Sequence, residues 1–444
     1  MEIFPIGGYN EVGKNMTVVK TGEDAFIFDA GFFMPAIVEM QEEEKKDYSE
    51  KRLRSKGALP DDLILDRLGL RDKVRAIFLS HGHLDHIGAV PFLSHRYKAP
   101  IIGSPFTISI LKKVLEDEKK EIPNDIKTVQ LNSSINIKGK SQTYRAELVN
   151  MTHSVPHTAM TVLHTNEGAV LYGNDFKLDN TPVVGNPPNY EMLKRISKEG
   201  IKVAIIDSLY CGTAVKTPSE RIARHMVEEV LLTVRNEKSA VFVTTFSSHI
   251  ARLKSIVEFG KKLDRKIIFL GRSLERYVSA ASRVNLIPFR KDFELKMYRN
   301  QVFSTLKQIS KNRENYIVVC TGHQGEPGSI LDRIATKKLP FEFKTHDSLI
   351  FSSKTIPVPV NIENKEALNK KLRKSQVRIF DDVHVSGHGG RQDLIDLIKL
   401  INPEHLIPSH GSYMQLKPMV ELSEELGYSK KNCHLISNGS RLKI

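Results

Sequence analysis

The chain has 444 residues and a net charge of +14, which says nothing about fold but makes a polyanion, nucleic acid first, the expected partner. At 40% apolar and 27% charged it has ordinary globular composition, and no apolar run is long enough to cross a bilayer as a helix, so no membrane association is expected. Three widely spaced cysteines (Cys211, Cys320, Cys433) argue against a disulfide framework, and the opening MEIFPIGGYN lacks the features of a secretory signal, so a reducing, cytoplasmic setting is expected.

The length predicts more than one core. In the first half, short branched apolar runs between turns read as strands: MTVVK, AFIFDAG, RAIFLS, the run at 99–103, RAELVN, AMTVLHT and GAVLYGND. ISILKKVLEDEKK reads as a helix among them, and the almost wholly charged MQEEEKKDYSEKRLRSK as an exposed insertion without chemistry. After KVAIIDSLYCG, the strands AVFVTT, KIIFLG, NYIVVCTG and DSLIFSS alternate with helices. That is the pattern of a parallel doubly wound sheet, whose ligands bind beyond the carboxyl ends of the strands. The first of these helices, TPSERIARHMVEEVLLTVRNE, predicts a capping box of Thr217 and Glu220 around Pro218. Its predicted apolar face is Ile222, Met226, Val227, Val230, Leu231 and Val234. Near KTIPVPVNIENKEALNK the pattern breaks. The tail returns to strands in QVRIFDDVHVSGHGG and EHLIPSHGS, with histidines in loops as in the first half. Residues 1–207 and 356–444 are therefore expected to form one domain and 208–355 an insertion in it.

The stretch LSHGHLDHIGAV places His81, His83, Asp85 and His86 within six positions, directly after a predicted strand. Histidines two apart on an extended loop can point the same way, and Asp85 and His86, a turn further on, can serve a neighbouring position. One loop can thus supply two ligands to each of two metal ions, and imidazole with carboxylate suits zinc, with manganese or iron as alternatives. Further ligands are available where other strands give way to loops: His153 after RAELVNMT, Asp175 after GAVLYGN and His410 after EHLIPS.

These residues carry a resemblance. SHGHLDHIGA matches the HxHxDH signature of the metallo-β-lactamase superfamily, and Asp29 in FIFDAG, His153 in THS and Asp175 in GNDFK follow as its remaining motifs. Asp207 in AIIDSLY, His388 in HVSGHGG and His410 in PSHGS resemble the three extra motifs of the β-CASP nucleases. GGYNEVGKN, TFSSHIARL, TGHQGEPGS, IFSS and VSGHGG are similar to archaeal-type RNase J, over essentially the whole chain.

The resemblance implies an α/β fold, the metallo-β-lactamase αββα sandwich with an inserted β-CASP domain built on a doubly wound parallel sheet. It implies two Zn²⁺ per chain, with Mn²⁺ as an alternative: one held by His81, His83, His153 and Asp175, the other by Asp85, His86, Asp175 and His410. Asp29 and Asp207 would orient loops or imidazoles, and His388 would face the scissile phosphate, with Asp85, Asp207 and His388 as the catalytic set. The implied activity is 5′-to-3′ exoribonuclease hydrolysis of single-stranded RNA by a metal-activated water, with internal cutting as a further capacity and a homodimer as the implied assembly. The alternatives are a β-CASP endoribonuclease, a DNA nuclease of the crosslink-repair branch (which typically has valine where His410 stands), a small-molecule hydrolase and a binding protein with a dead site.

Substrate contacts are expected from Ser247, Ser248, His249 and Arg252 in TFSSHIAR, from His323 and Gln324 in TGHQGEPGS, and from Gly387, His388 and Gly389 in SGHGG. The plain alternative for the first group is helix capping, and for the glycines a tight turn. His157 reads as a solvent- or substrate-side residue, His384 as a strand residue near the site, and Cys211 and Cys320 as structural.

Overall fold

A computed structural model of the chain describes residues 1–40, 48–233 and 238–444. It forms two compact units: residues 1–180, 185–217 and 387–444 make the first, and residues 181–184 and 218–386 the second.

The first unit holds two sheets. One has seven strands in the spatial order Leu442–Lys443, Glu2–Gly7, Met16–Thr21, Asp24–Phe28, Val74–Leu79, Ile101–Gly103 and Ile126–Thr128. The other has six: His405–Ser409, Ile201–Asp207, Gly168–Gly173, Ala159–Thr165, Thr143–Asn150 and Ser133–Lys138. Side chains alternate across a strand, and both sheets spend one face on a shared core. Phe26, Phe28 and Phe78 of the first sheet bury against Leu148, Leu163, Tyr172, Ile205 and Ile407 of the second. The opposite face of the second sheet, with Val149, Leu171, Ala204 and Leu406, packs against Leu193 and Ile196 of the helix Tyr190–Glu199. Leu394, Leu397 and Ile401 of the helix Arg391–Ile401 complete that layer. The helix Pro105–Glu118, with Phe106, Ile110, Leu111 and Val114 buried, lies against the strand Ile101–Gly103.

The second unit is built on a six-stranded sheet, parallel throughout, in the order Glu294–Lys296, Lys266–Leu270, Tyr316–Cys320, Val241–Thr244, Ser348–Phe351 and Arg378–Phe380. One face buries Phe242, Ile268, Val318 and Leu349 against the helices Arg299–Lys311, Ile330–Ala335 and Pro359–Arg373. Cys211, Cys320 and Cys433 are buried thiols. Among the described residues no helix is long and apolar enough to cross a membrane.

The bounds of the units and the first helix of the second differ from what the sequence suggests. The second unit runs to residue 386 rather than 355, because Leu368 and Leu372 enter its core and Arg378–Phe380 pairs with Ser348–Phe351 as its edge strand. At its other end the division falls at 217/218 rather than 207/208. The helix following Pro218 spans Glu220–Thr233, so Glu220 is its first residue rather than its third. The Thr217 hydroxyl donates to the His388 carbonyl and accepts from the Gly390 N–H, while the Glu220 carboxylate binds Arg252. The buried face of this helix is Ala223, Val227 and Leu231, and Ile222 is 49% exposed. Val234, and the acidic start of the charged insertion at 41–47, lie outside the described residues.

Candidate metal centre

The first unit brings the predicted ligands to one place. His81 and His83 follow the strand Val74–Leu79, and Asp85 and His86 sit on the single helical turn Leu84–Ile87. His153, Asp175 and His410 each follow the carboxyl end of a strand in the six-stranded sheet, and Asp207 closes a fourth. One donor atom from each of His81, His83, His153 and Asp175 lies within 4.8 Å of the other three, and the same holds for Asp85, His86, Asp175 and His410.

Asp175 is common to both groups. Its Oδ2 lies 3.4 Å from His81 Nε2, 3.2 Å from His86 Nε2 and 3.7 Å from His153 Nε2, while its Oδ1 lies 3.4 Å from His410 Nδ1. Three ring nitrogens also meet partners outside the two sets. His86 Nδ1 is 2.7 Å from Asp29 Oδ2, His153 Nδ1 is 2.8 Å from the Gly387 carbonyl, and His410 Nδ1 is 3.1 Å from Asn15 Oδ1. A ring that donates from Nδ1 presents the lone pair of Nε2, and that partner fixes both tautomer and ring orientation.

These residues fit metal ions. The buried Oδ1 of Asp175 accepts no hydrogen bond among the described residues, an orphaned carboxylate oxygen facing a ring of imidazoles. His83 Nδ1 lies 2.9 Å from His81 Nε2 and 3.3 Å from His153 Nε2, so three ring nitrogens converge beside the Asp175 carboxylate. Burial, then the neighbouring His86, holds His81 well below the usual imidazole range. Burial, then His388, does the same for His153. Burial also pushes His83 down to about 4, against the pull of Asp85. Neutral imidazole is the ligating form. Burial would raise the Asp175 carboxyl, but His410, His86 and His388 outweigh it and hold the group well below the usual carboxylate range.

Backbone strain marks the same place. Asp29, Asp175 and His410 have φ of +61°, +56° and +65°, the left-handed region that non-glycine residues avoid. Gly31 answers a different demand: a Cβ there would stand 1.6 Å from the Asp85 carbonyl oxygen, so the ligand loop lies directly on its backbone.

His388 stands at the edge of the cluster, its ring centroid 5.0 Å from that of His153 and 5.5 Å from that of His410. Burial pulls its pKa down, but Asp207, 2.7 Å from Nδ1, and then Asp175 outweigh it and carry it to about 9. A third acidic group with a histidine, Glu147, His164 and Glu199, is ligated by protein instead: Arg145 and Arg195 neutralise both carboxylates.

Several expected substrate contacts have other duties. Arg252 is wholly buried; its guanidinium binds Glu220 through Nε and Nη2, and the Ser352 and Val383 carbonyls through Nη1. His249 is buried with Nε2 3.3 Å from the same Glu220. Gln324 donates to the Lys354 carbonyl and accepts from the Ile356 N–H, which ties two loops together. These three hold the second unit together because they surround one buried carboxylate or bridge adjacent strand ends. The Gly389 N–H is likewise spent on the Phe176 carbonyl, and Gly387 is needed for close approach, since a Cβ would meet His153 Cε1 at 3.0 Å. Ser247 shares a hydrogen bond with Ser273, and Ser248 is buried. His384 belongs to the second unit, 3.4 Å from Arg252 Nη1, and not to the ligand cluster. His157 has φ +59° and packs its half-buried ring against Phe106.

Four participants were not anticipated as such. Ser80, Tyr172, Asn174 and Asn15 link Asp29, His86 and His410 through buried hydrogen bonds. Three of them fall within stretches that stand out in the sequence, Asn15 in GGYNEVGKN, Ser80 in SHGHLDHIGA and Asn174 in GNDFK.

Comparison with known proteins agrees with this geometry. Residues 9–176 match the model for the metallo-β-lactamase superfamily. Residues 238–372 match the ribonuclease J β-CASP domain, and residues 376–435 a Zn-dependent metallo-hydrolase RNA specificity domain. A ribonuclease J of Methanocaldococcus jannaschii is 40% identical, covering 100% of this chain and 99% of its own length. That of Pyrococcus abyssi is 40% identical over 100% of this chain and 97% of its own. The Helicobacter pylori ribonuclease J is longer: at 28% identity this chain spans 61% of it. A crystal structure of a protein of unknown function from Enterococcus faecalis shares the fold, with a TM-score of 0.63 at 16% identity over 99% of both chains.

Proposed function

The chain belongs to the ribonuclease J family, in the β-CASP group of the metallo-β-lactamase superfamily, and on that premise we propose that it is a metal-dependent ribonuclease that digests single-stranded RNA from the 5′ end. The observation that carries the reading is the pair of four-residue ligand sets sharing Asp175, with His388 beside them on Asp207. Zinc or manganese held by these two sets would supply Lewis acidity toward a phosphoryl oxygen and toward water near neutral pH.

The chain's own residues do the rest. Asp175 and Asp85 bring negative charge that holds the cations close, and Asp29, the Gly387 carbonyl and Asn15 keep three imidazoles aimed inward. His388, protonated through Asp207, offers positive charge and a proton at Nε2 to the phosphate and its leaving 3′ oxygen. In the second unit, Ser247 and His323 are the expected contacts for a terminal phosphate. His323, packed on Phe246, has two ring nitrogens with no hydrogen-bond partner among the described residues. Its loop lies after the carboxyl end of the strand Tyr316–Cys320, where ligands of parallel sheets bind. A homodimer in the cytoplasm is the expected working form.

The test compares a 5′-monophosphate RNA, the same RNA with a 5′-triphosphate, and its circular form. The expected result is release of nucleoside monophosphates, fastest from the 5′-monophosphate RNA and absent from the circle. Equal cleavage of all three would overturn the 5′-end reading in favour of internal cutting.

A further inference from the structure

GGYNEVGKN runs from the strand Glu2–Gly7 to the start of Met16–Thr21, and its glycines follow no nucleotide-binding spacing. Its last residue, Asn15, is buried inside the metal centre. The main-chain N–H of Asn15 and its side-chain Nδ2 both donate to the Asp85 carbonyl at 3.0 Å. Nδ2 also lies 3.0 Å from His86 Nε2, and Oδ1 lies 3.1 Å from His410 Nδ1. One amide thus touches every residue that belongs to the second ligand set alone: Asp85, His86 and His410.

The orientation of that amide is determined from outside the set. The Tyr172 hydroxyl donates to Asp29 Oδ2 and so accepts from the Asn174 amide nitrogen at 3.0 Å; that nitrogen also donates to Asn15 Oδ1 at 3.1 Å, while Asn174 Oδ1 accepts from Ser409 Oγ. Asn15 Oδ1 is therefore an acceptor, and His410 must meet it with a protonated Nδ1. That leaves the lone pair of His410 on Nε2, the nitrogen that lies 4.0 Å from Asp85 Oδ2. His153 and His86 are oriented by a carbonyl and a carboxylate; for His410 the corresponding partner is this amide.

Resting on the reading of the site as a dinuclear metal centre, we propose that Asn15 is the positioning residue of the second ion alone: its Oδ1 fixes the tautomer of His410, and it does not act on the His81, His83, His153 set. Loss of such an outer partner lowers metal affinity by about 10–100-fold.

The experiment titrates zinc into metal-stripped protein against a chromophoric chelator, for wild type, Asn15→Ala and Asn15→Asp. Aspartate keeps the Oδ1 acceptor for His410 and Asn174; alanine removes it. The expected result is two tight ions in wild type. In Asn15→Ala one ion should remain as tight and the other bind about 10–100-fold more weakly. In Asn15→Asp the second ion should stay within a few-fold of wild type or bind more tightly. Two ions of undiminished affinity in Asn15→Ala, or a second ion as weak in Asn15→Asp as in Asn15→Ala, would overturn the proposal. Loss of both ions in Asn15→Ala would mean that the fold has failed there. Asn174→Ala then decides, because freeing the Asn15 amide to turn should weaken the same single ion, and unchanged affinity overturns the idea. Wild type taking up fewer than two ions would sink the dinuclear reading itself, whatever Asn15 does.

Discussion

Asp207 Oδ2 stands 2.7 Å from His388 Nδ1, a contact between residues 181 apart in sequence that joins the end of a buried strand to the loop beside the metal centre. With Asp207 and Asp175 outweighing burial, His388 is held at about 9, above the 6.5 of a free imidazole. A raised histidine pKa favours the charged form in the folded state. Its contribution to stability is therefore complete below about 6.5 and is lost as pH rises through about 9. Asp207→Asn should flatten the stability profile of metal-stripped protein between those values and lower the titration midpoint of His388 followed by NMR. An unchanged midpoint would show that Asp207 does not set the charge of His388.

His388→Ala should keep both ions and still bind RNA, while cleavage falls about a hundredfold or more, the usual effect of losing one transition-state donor. Metal content, RNA affinity and single-turnover rate, measured on one preparation, separate these effects. Loss of metal in this variant would place His388 among the ligands.

Asp175→Ala removes the one carboxylate common to both ligand sets, so both ions should be weakened together and cleavage abolished. The check is metal content by mass spectrometry beside RNA cleavage. Full activity of this variant after exhaustive chelation is the outcome that defeats a metal-dependent mechanism.

Glu220 is a stability element of the second unit. Burial would raise its pKa, but His249 and Arg252 hold it well below the usual carboxylate range. Its stabilisation is therefore present above about 4.5 and is lost as pH falls through its lowered folded value. Glu220→Gln leaves Arg252 buried without its counter-charge, a change that typically costs about 3–5 kcal/mol. Urea unfolding of the full chain should show the second unit weakened. A shift below about 1 kcal/mol would mean that the main-chain carbonyls on Arg252 suffice.

RNA affinity should fall steeply with salt. Each phosphate neutralised on a single strand contributes about 0.7 to the logarithmic slope, and the net charge of +14 supplies many candidates. Fluorescence anisotropy between 50 and 300 mM salt measures the slope, and a flat response would show that the surface charge serves some other purpose.

The clustering at the candidate metal centre was legible in the sequence because it rests on short-range features: four side chains of ligand type in six positions, and others one step past an apolar strand. The strands themselves were legible from period and branching, as in GAVLYG, where every residue but the first is buried. What could not be read was long-range pairing. Arg252 looks like a phosphate ligand next to two serines until Glu220, 32 residues earlier, is found against it. The insertion appeared to end where prolines broke the pattern, yet a short strand, Arg378–Phe380, closes its sheet after that break. Thr217 had the spacing of a helix cap, but the carbonyl of His388, 171 residues away, claimed its hydroxyl. Local rules predict these positions correctly only when no distant partner competes for them.

The first unit is not contiguous, and that orders events during synthesis. His81 to Asp175 leave the ribosome before the second unit is made, whereas His388 and His410 follow it. At about 5–20 residues per second, the 181 residues from Asp207 to His388 take roughly 9–36 s to add. Through that interval a nascent chain holds one complete ligand set and a second that lacks His410, while residues 218–386, an unbroken stretch, are free to fold first. The ability to cut RNA thus has to wait for residues that are made only after the second unit.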